Sequence, residues 1–130
     1  MYRKHKMFQE LTIIAITMLA LDFIYISASM KLFQNQIIEV QKTSLQLRPL
    51  GAFLCYVFLI LGLYYFIVNP HRPVRDAVLL GLVIYGVYET TSYAILKNWK
   101  LNIVVMDTLW GGALFGLTTI ITYGSMKYLL

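Results

Sequence analysis

Four stretches of this chain are each long and apolar enough to cross a bilayer, and they limit the fold more than any other feature. They run over about residues 8–30, 50–68, 76–96 and 101–123. A spanning helix needs roughly 20 apolar residues. Inside hydrocarbon every backbone N–H and C=O must find a partner within the protein, which leaves helices or a closed barrel. Barrel strands would alternate in polarity over about ten residues, and no such alternation is present. The expected fold is an all-α membrane protein, a single domain over residues 1–130. It has four antiparallel transmembrane helices and both termini on one side. The composition agrees: 59% of residues are hydrophobic and 13% charged, against about half and about a quarter in soluble domains.

The N-terminus imitates a secretory signal. Arg3, Lys4 and Lys6 precede the first apolar stretch, and Ser27-Ala28-Ser29 follows it as a cleavage site would. The stretch is too long for a signal core and contains Asp22, so a retained membrane anchor is expected. The net charge is +5. The basic residues lie beside apolar segments and form no stripe on a soluble face, which points to lipid headgroups and excludes nucleic acid as the partner. Lys and Arg divide six to five between the side of the termini and the other side, and the positive-inside rule then puts both termini in the cytoplasm. Cys55 is the single cysteine, so no intramolecular disulfide can form, and it reads as a small packing residue.

Residues 31–48 join the first two spans. Their polar residues with scattered Leu, Ile and Phe suit an interfacial amphipathic helix or a solvated loop. Pro49 fits the start of the second helix, where its missing N–H costs nothing. Asn69-Pro70-His71-Arg72-Pro73 reads as a turn, and Asp76 suits the first turn of the third helix. The short Lys97–Lys100 turn makes the third and fourth helices neighbours. Gly112-x-x-x-Gly116 invites close helix packing, inside the monomer first, with a homo-oligomer as the alternative.

Acids inside apolar helices are costly and need a reason. There are three: Asp22, Glu89 and Asp107. At 1.5 Å per residue each sits roughly 9–12 Å from the membrane face that carries Lys97 and Lys100. Each also shares a helical stripe with small or hydroxyl side chains: Ala15, Met18, Tyr25 and Ser29 with Asp22; Gly81, Tyr85, Tyr88 and Ser92 with Glu89; Gly111 and Thr118 with Asp107. Such stripes face a bundle interior. Trp99 is read as an interfacial anchor. Trp110 is deeper, beside two glycines, and suits a pocket wall. Lys97 is read as free in the interface.

Other chemistries find no support. His5 and His71 lie on the opposite side from the acids, so no His–carboxylate metal site is expected, though a hard-cation site made of carboxylates stays open; no cofactor is expected. No phosphate-cradling loop, zinc motif or serine-hydrolase elbow is present.

Three runs of residues also resemble a known family: Leu21-Asp22; Tyr88-Glu89-Thr90-Thr91-Ser92-Tyr93-Ala94-Ile95-Leu96-Lys97-Asn98-Trp99; and Asp107-Thr108-Leu109-Trp110-Gly111. They resemble the small predicted membrane proteins catalogued as domain of unknown function 2177. The K-N-W and D-x-x-W-G runs are the specific parts. Glu89 stands where the family usually has Asp, Ser92 where it has Asn, and Tyr25 near a frequent Trp. The resemblance implies a four-helix membrane protein and supplies no activity.

These readings lead to a multi-pass membrane protein with an intramembrane acidic pocket. Asp22, Glu89 and Asp107 would build it, with Tyr88, Ser92, Asn98 and Trp110 as lining. Its occupant would be a proton, a small cation or a polar lipid headgroup. A lipid-modifying enzyme, with one acid as general base, is one alternative. A structural protein of a cellular or viral membrane is the other.

Overall fold

The computed structural model describes residues 2–42 and 48–129. Four helices make up these residues: α1 (Tyr2–Gln41), α2 (Pro49–Leu63), α3 (Val74–Ile95) and α4 (Leu101–Leu129). α1, α3 and α4 each contain a window apolar and long enough to cross a membrane, and α2 does so together with the turn that follows it, over Pro49–Val68.

The bundle buries polar side chains beside an apolar core of Ile14, Met18, Leu63, Leu114 and Phe115, and turns many large apolar side chains outward. Glu10, Asp22, Gln36, Glu89, Ser92, Asp107, Thr118, Thr119 and Thr122 are buried, while Phe8, Ile16, Phe23, Ile24, Phe53, Phe58 and Leu79 face outward. In water so large an exposed apolar surface would drive aggregation; against lipid it costs nothing. Two of the buried threonines close their hydrogen bonds on their own helix, whereas the Thr118 hydroxyl has no partner among the described residues. Thr119 donates to the Phe115 carbonyl and Thr122 to that of Thr118, both at 2.7 Å.

The centre of the bundle is α4. Half of its apolar window is buried, against about a fifth for each of the others. It packs along α3 and, less extensively, on α1. Glycines set the α3–α4 distance. Gly81 lies so close to Gly111 that a Cβ on it would overlap the Gly111 carbonyl oxygen. A Cβ on Gly112 would lie 2.8 Å from Leu82, and one on Gly116 2.7 Å from Val78. The Gly112–Gly116 pair therefore serves packing within the monomer, where small residues let helix backbones approach.

α1 is longer than the sequence suggests. It runs unbroken through residues 31–41, with 40 residues in all, or about 60 Å at 1.5 Å per residue. Lys31–Gln41 contains neither Gly nor Pro, so nothing stops the helix at the membrane face. It ends where Lys42 adopts a left-handed conformation (φ 62°), a helix-terminating geometry. Residues 43–47 of the joining segment lie outside the described residues.

Pro49 does open α2. The last turn of α2 widens into a π-turn over Tyr64–Val68, with Asn69 N–H reaching the Tyr64 carbonyl at 2.8 Å. Asp76 lies in the first turn of α3, near Arg72 (3.8 Å) and Arg75 (3.9 Å). These are exposed pairs of little energetic weight. α2 lies against α1 and has no substantial packing with α3, which leaves a lateral gap between them.

Candidate functional site

All three intramembrane acids point inward: Asp22 is 6% exposed, Glu89 1% and Asp107 9%. An unpaired buried carboxylate would cost several kcal/mol, and each of these is met by a donor from another segment. Tyr56 Oη of α2 donates to Asp22 Oδ2. Trp110 Nε1 of α4 donates to Asp22 Oδ1 at 2.9 Å. Tyr25 Oη, three residues after Asp22 on α1, donates to Asp107 Oδ1 at 3.2 Å. Trp99 Nε1, in the α3–α4 turn, donates to Glu89 Oε1 at 3.0 Å.

Two further contacts join these pairs into one chain of groups. The rings of Tyr25 and Trp110 stack in parallel, centroids 4.5 Å apart and 3° between planes. Glu89 and Asp107 are neighbours across the α3–α4 interface. The order across the bundle is Tyr56, Asp22, Trp110 with Tyr25, Asp107, Glu89, Trp99. Each helix contributes to it. Asp22 has both oxygens occupied by aromatic donors. Two carboxyl groups brought close together repel when both are charged, so the Glu89–Asp107 pair is where a cationic or hydrogen-bonding group is best placed to act.

Asp107 also reaches a cavity. A cleft of about 350 Å³ opens in the gap between α2 and α3, lined by Cys55 and Leu59 of α2, Ile84, Tyr85 and Tyr88 of α3, and Asp107. Its walls are apolar and aromatic, with the carboxyl from α4. Tyr88 stands at its outer edge, 61% exposed. Among the described residues no three His, Cys, Asp or Glu side chains converge as metal ligands would.

The other residues singled out from the sequence fall in three places. Ser92 is buried on α3, one turn beyond Glu89. Trp110 forms the stack behind Asp107. Asn98 stands outside this group. Its left-handed backbone (φ 67°) shapes the α3–α4 turn, and its side-chain amide donates to the Glu39 carbonyl at 3.4 Å.

Asn98 belongs to a latch between α1 and that turn. Gln36, 2% exposed, donates through Nε2 to the Asn98 carbonyl at 2.8 Å and accepts from the Lys100 N–H at 3.1 Å through Oε1. One amide thus satisfies two backbone groups between helices. Lys100 Nζ pairs with Glu39 Oε1 at 3.3 Å. The extension of α1 past the membrane face is what brings Gln36 there.

Three participants escaped the sequence reading. Tyr56 left a signal: it is the only hydroxyl in α2, an otherwise apolar helix. Trp99 looked like an interfacial anchor, but its N–H turns inward to Glu89. Gln36 carried no signal, because its partners are backbone atoms 62 and 64 residues away.

A family model described as a predicted membrane protein (DUF2177) matches residues 7–124. No curated protein and no solved structure gives a significant match.

Proposed function

We propose that this chain, which belongs to the DUF2177 family of predicted membrane proteins, binds the polar head of a membrane amphiphile at its intramembrane carboxyls. The head would be cationic or hydroxyl-bearing. It would enter from the bilayer through the gap between α2 and α3, with its apolar part along Leu59 and Ile84 and its donor on Asp107. The single observation that carries this reading is the cleft of about 350 Å³ that has Asp107 among its lining residues. That volume falls within the range of small-molecule sites, which combine apolar walls with a few polar groups. A donor placed on Asp107 would offset its repulsion by Glu89. A bare proton or small cation would satisfy the same pair, but neither has a use for the apolar walls.

In this reading the acids divide their work. Asp22, with both oxygens occupied by Tyr56 and Trp110, holds the helices together. Asp107 and Glu89 hold the ligand. The reading goes with an orientation that puts both termini in the cytoplasm, on the side with six Lys and Arg against five.

Cys55 provides the test. It is the single cysteine and lines the cleft, so its alkylation by a maleimide in detergent micelles reads occupancy. Dodecylamine should slow the alkylation saturably, and dodecanoate should not. Tryptophan emission gives a second reading, since both tryptophans belong to this network. Loss of a hydrogen bond to a charged group costs about 1.5–3 kcal/mol, so Asp107→Asn should weaken dodecylamine at least about tenfold. Equal protection by dodecanoate, or an unchanged affinity in Asp107→Asn, refutes the proposal.

A further inference from the structure

The opposite end of the bundle holds a second cavity, independent of the reading above. Its volume is about 320 Å³, and Lys6, Glu10, His71, Tyr123, Met126 and Lys127 line it. It lies between the first turns of α1, the last turns of α4 and the turn that follows α2. Glu10 is twelve residues before Asp22 on α1, about 18 Å along the helix axis. The cavity is therefore at the headgroup level of the face remote from Lys97 and Lys100.

Glu10 is the unusual member. It is 4% exposed, yet among the described residues its carboxyl has no hydrogen bond and no ion pair, only the longer-range influence of Lys6 and His71. No donor from the described residues reaches its oxygens, which are not sealed in the interior but open onto the cavity, where a ligand's donor can meet them. The rest of the cavity is fixed in place. Tyr123 Oη donates to the carbonyls of Arg72 (2.6 Å) and Ile67 (3.2 Å), so its hydroxyl proton is already committed. His71 sits at left-handed φ 58° with its ring 4.3 Å from that of Tyr123. Lys6 and Lys127 supply two cations near the opening.

A simple cation would satisfy Glu10 but meet two lysines. A simple phosphate would suit the lysines but meet Glu10. A molecule with an ammonium and a phosphate joined by a short linker answers both. We infer that this cavity binds a phosphate-bearing primary amine, the chemistry of phosphoethanolamine, with Glu10 accepting from the ammonium and Lys6 and Lys127 holding the phosphate. A phospholipid headgroup and the free phosphoamine share that chemistry.

Native mass spectrometry of the full chain, released from detergent micelles, tests the inference. Four probes are needed: short-chain phosphatidylethanolamine, phosphatidylcholine, phosphatidylglycerol and free O-phosphoethanolamine. The choline head keeps the phosphate but has no N–H, and the glycerol head has no cation. Phosphatidylethanolamine should bind about tenfold more tightly than either. Glu10→Gln should remove that preference and leave phosphatidylcholine binding unchanged. Lys127→Gln, at an exposed position, should weaken all three lipids. Competition by O-phosphoethanolamine at similar concentration identifies the free phosphoamine as the ligand, and its failure to compete identifies the lipid. Equal binding of the three lipids, or an intact preference in Glu10→Gln, overturns the inference. Asp107→Asn should leave the preference intact, which separates this site from the amphiphile cleft.

Discussion

The contact between α3 and α4 at Gly81 makes a sharp test of what holds the bundle together. In Gly81→Ala the new Cβ would overlap the Gly111 carbonyl oxygen, and would lie 2.7 Å from the Gly111 carbonyl carbon and 2.9 Å from Phe115 Cβ. Ordinary carbon–carbon contacts begin near 3.5 Å, so the Phe115 contact alone is about 0.6 Å too short. None of these atoms is the end of a flexible side chain, so the helices themselves must move apart. Overpacking of this kind costs about 1–3 kcal/mol, and the clash with backbone puts Gly81→Ala at the upper end. Alanine returns up to about 1 kcal/mol in helix propensity. The net expectation is about 2 kcal/mol of destabilisation. Gly62→Ala is the matched control: its Cβ meets nothing within 4 Å, so only the propensity gain of up to about 1 kcal/mol applies. The two substitutions should differ in sign. Unfolding in mixed micelles of rising dodecyl sulfate content, followed by tryptophan emission, measures both. Equal midpoints for Gly81→Ala and the unaltered chain would show that glycine contact does not set the α3–α4 distance.

Tyr56→Phe and Trp110→Phe each remove one donor from Asp22, and each should cost about 0.5–1.7 kcal/mol in the same unfolding assay. The double substitution should cost more than their sum, because it leaves a buried carboxylate with no donor; strict additivity would count against a shared role on Asp22. Gln36→Leu should raise hydrogen exchange at the Lys100 amide about tenfold, a loss of roughly 1.4 kcal/mol. Gln36→Glu, which keeps an acceptor for that N–H, should leave it protected, and equal exchange in the two variants would contradict the latch. Tyr123→Phe withdraws the bond to the Arg72 carbonyl and should destabilise by about 1 kcal/mol, with faster exchange confined to residues 67–73; a change spread over the whole bundle would place Tyr123 in the core instead.

The energetic pattern explains why these effects should be local. Helix association in lipid has no hydrophobic drive, so close packing and interhelical hydrogen bonds carry it. Here the two are divided by location. Glycines bring α3 and α4 together, whereas α1 and α2 are tied in through Asp22, Tyr25, Gln36 and Tyr56. That division leaves α2 without substantial packing on α3, and the cleft at Asp107 lies in the resulting gap.

The sequence by itself determined the fold class and the helices. Four apolar stretches in a medium without water leave the backbone only the helical solution, and the breaks at Pro49, Asn69–Pro73 and Lys97–Lys100 sit where local chemistry requires them. It also marked Asp22, Glu89 and Asp107, because a charge in an apolar helix stands out whatever surrounds it. Helical periodicity told which way each acid faces along its own helix. It could not tell which aromatic group meets which acid. Tyr56, Tyr25, Trp99 and Trp110 are amphipathic side chains that suit a membrane interface as well as a buried carboxylate, and only the crossing of the helices chooses between those settings. The extent of α1 was hidden for a related reason. Residues 31–41 are polar enough for a loop, and their helical state is stabilised by Gln36 docking on backbone atoms of a turn more than 60 residues away. Both tryptophans turn their N–H inward, and the isolated carboxyl of Glu10 faces a cavity. These are facts of tertiary structure, because each depends on distances between segments that the order of residues along the chain does not contain.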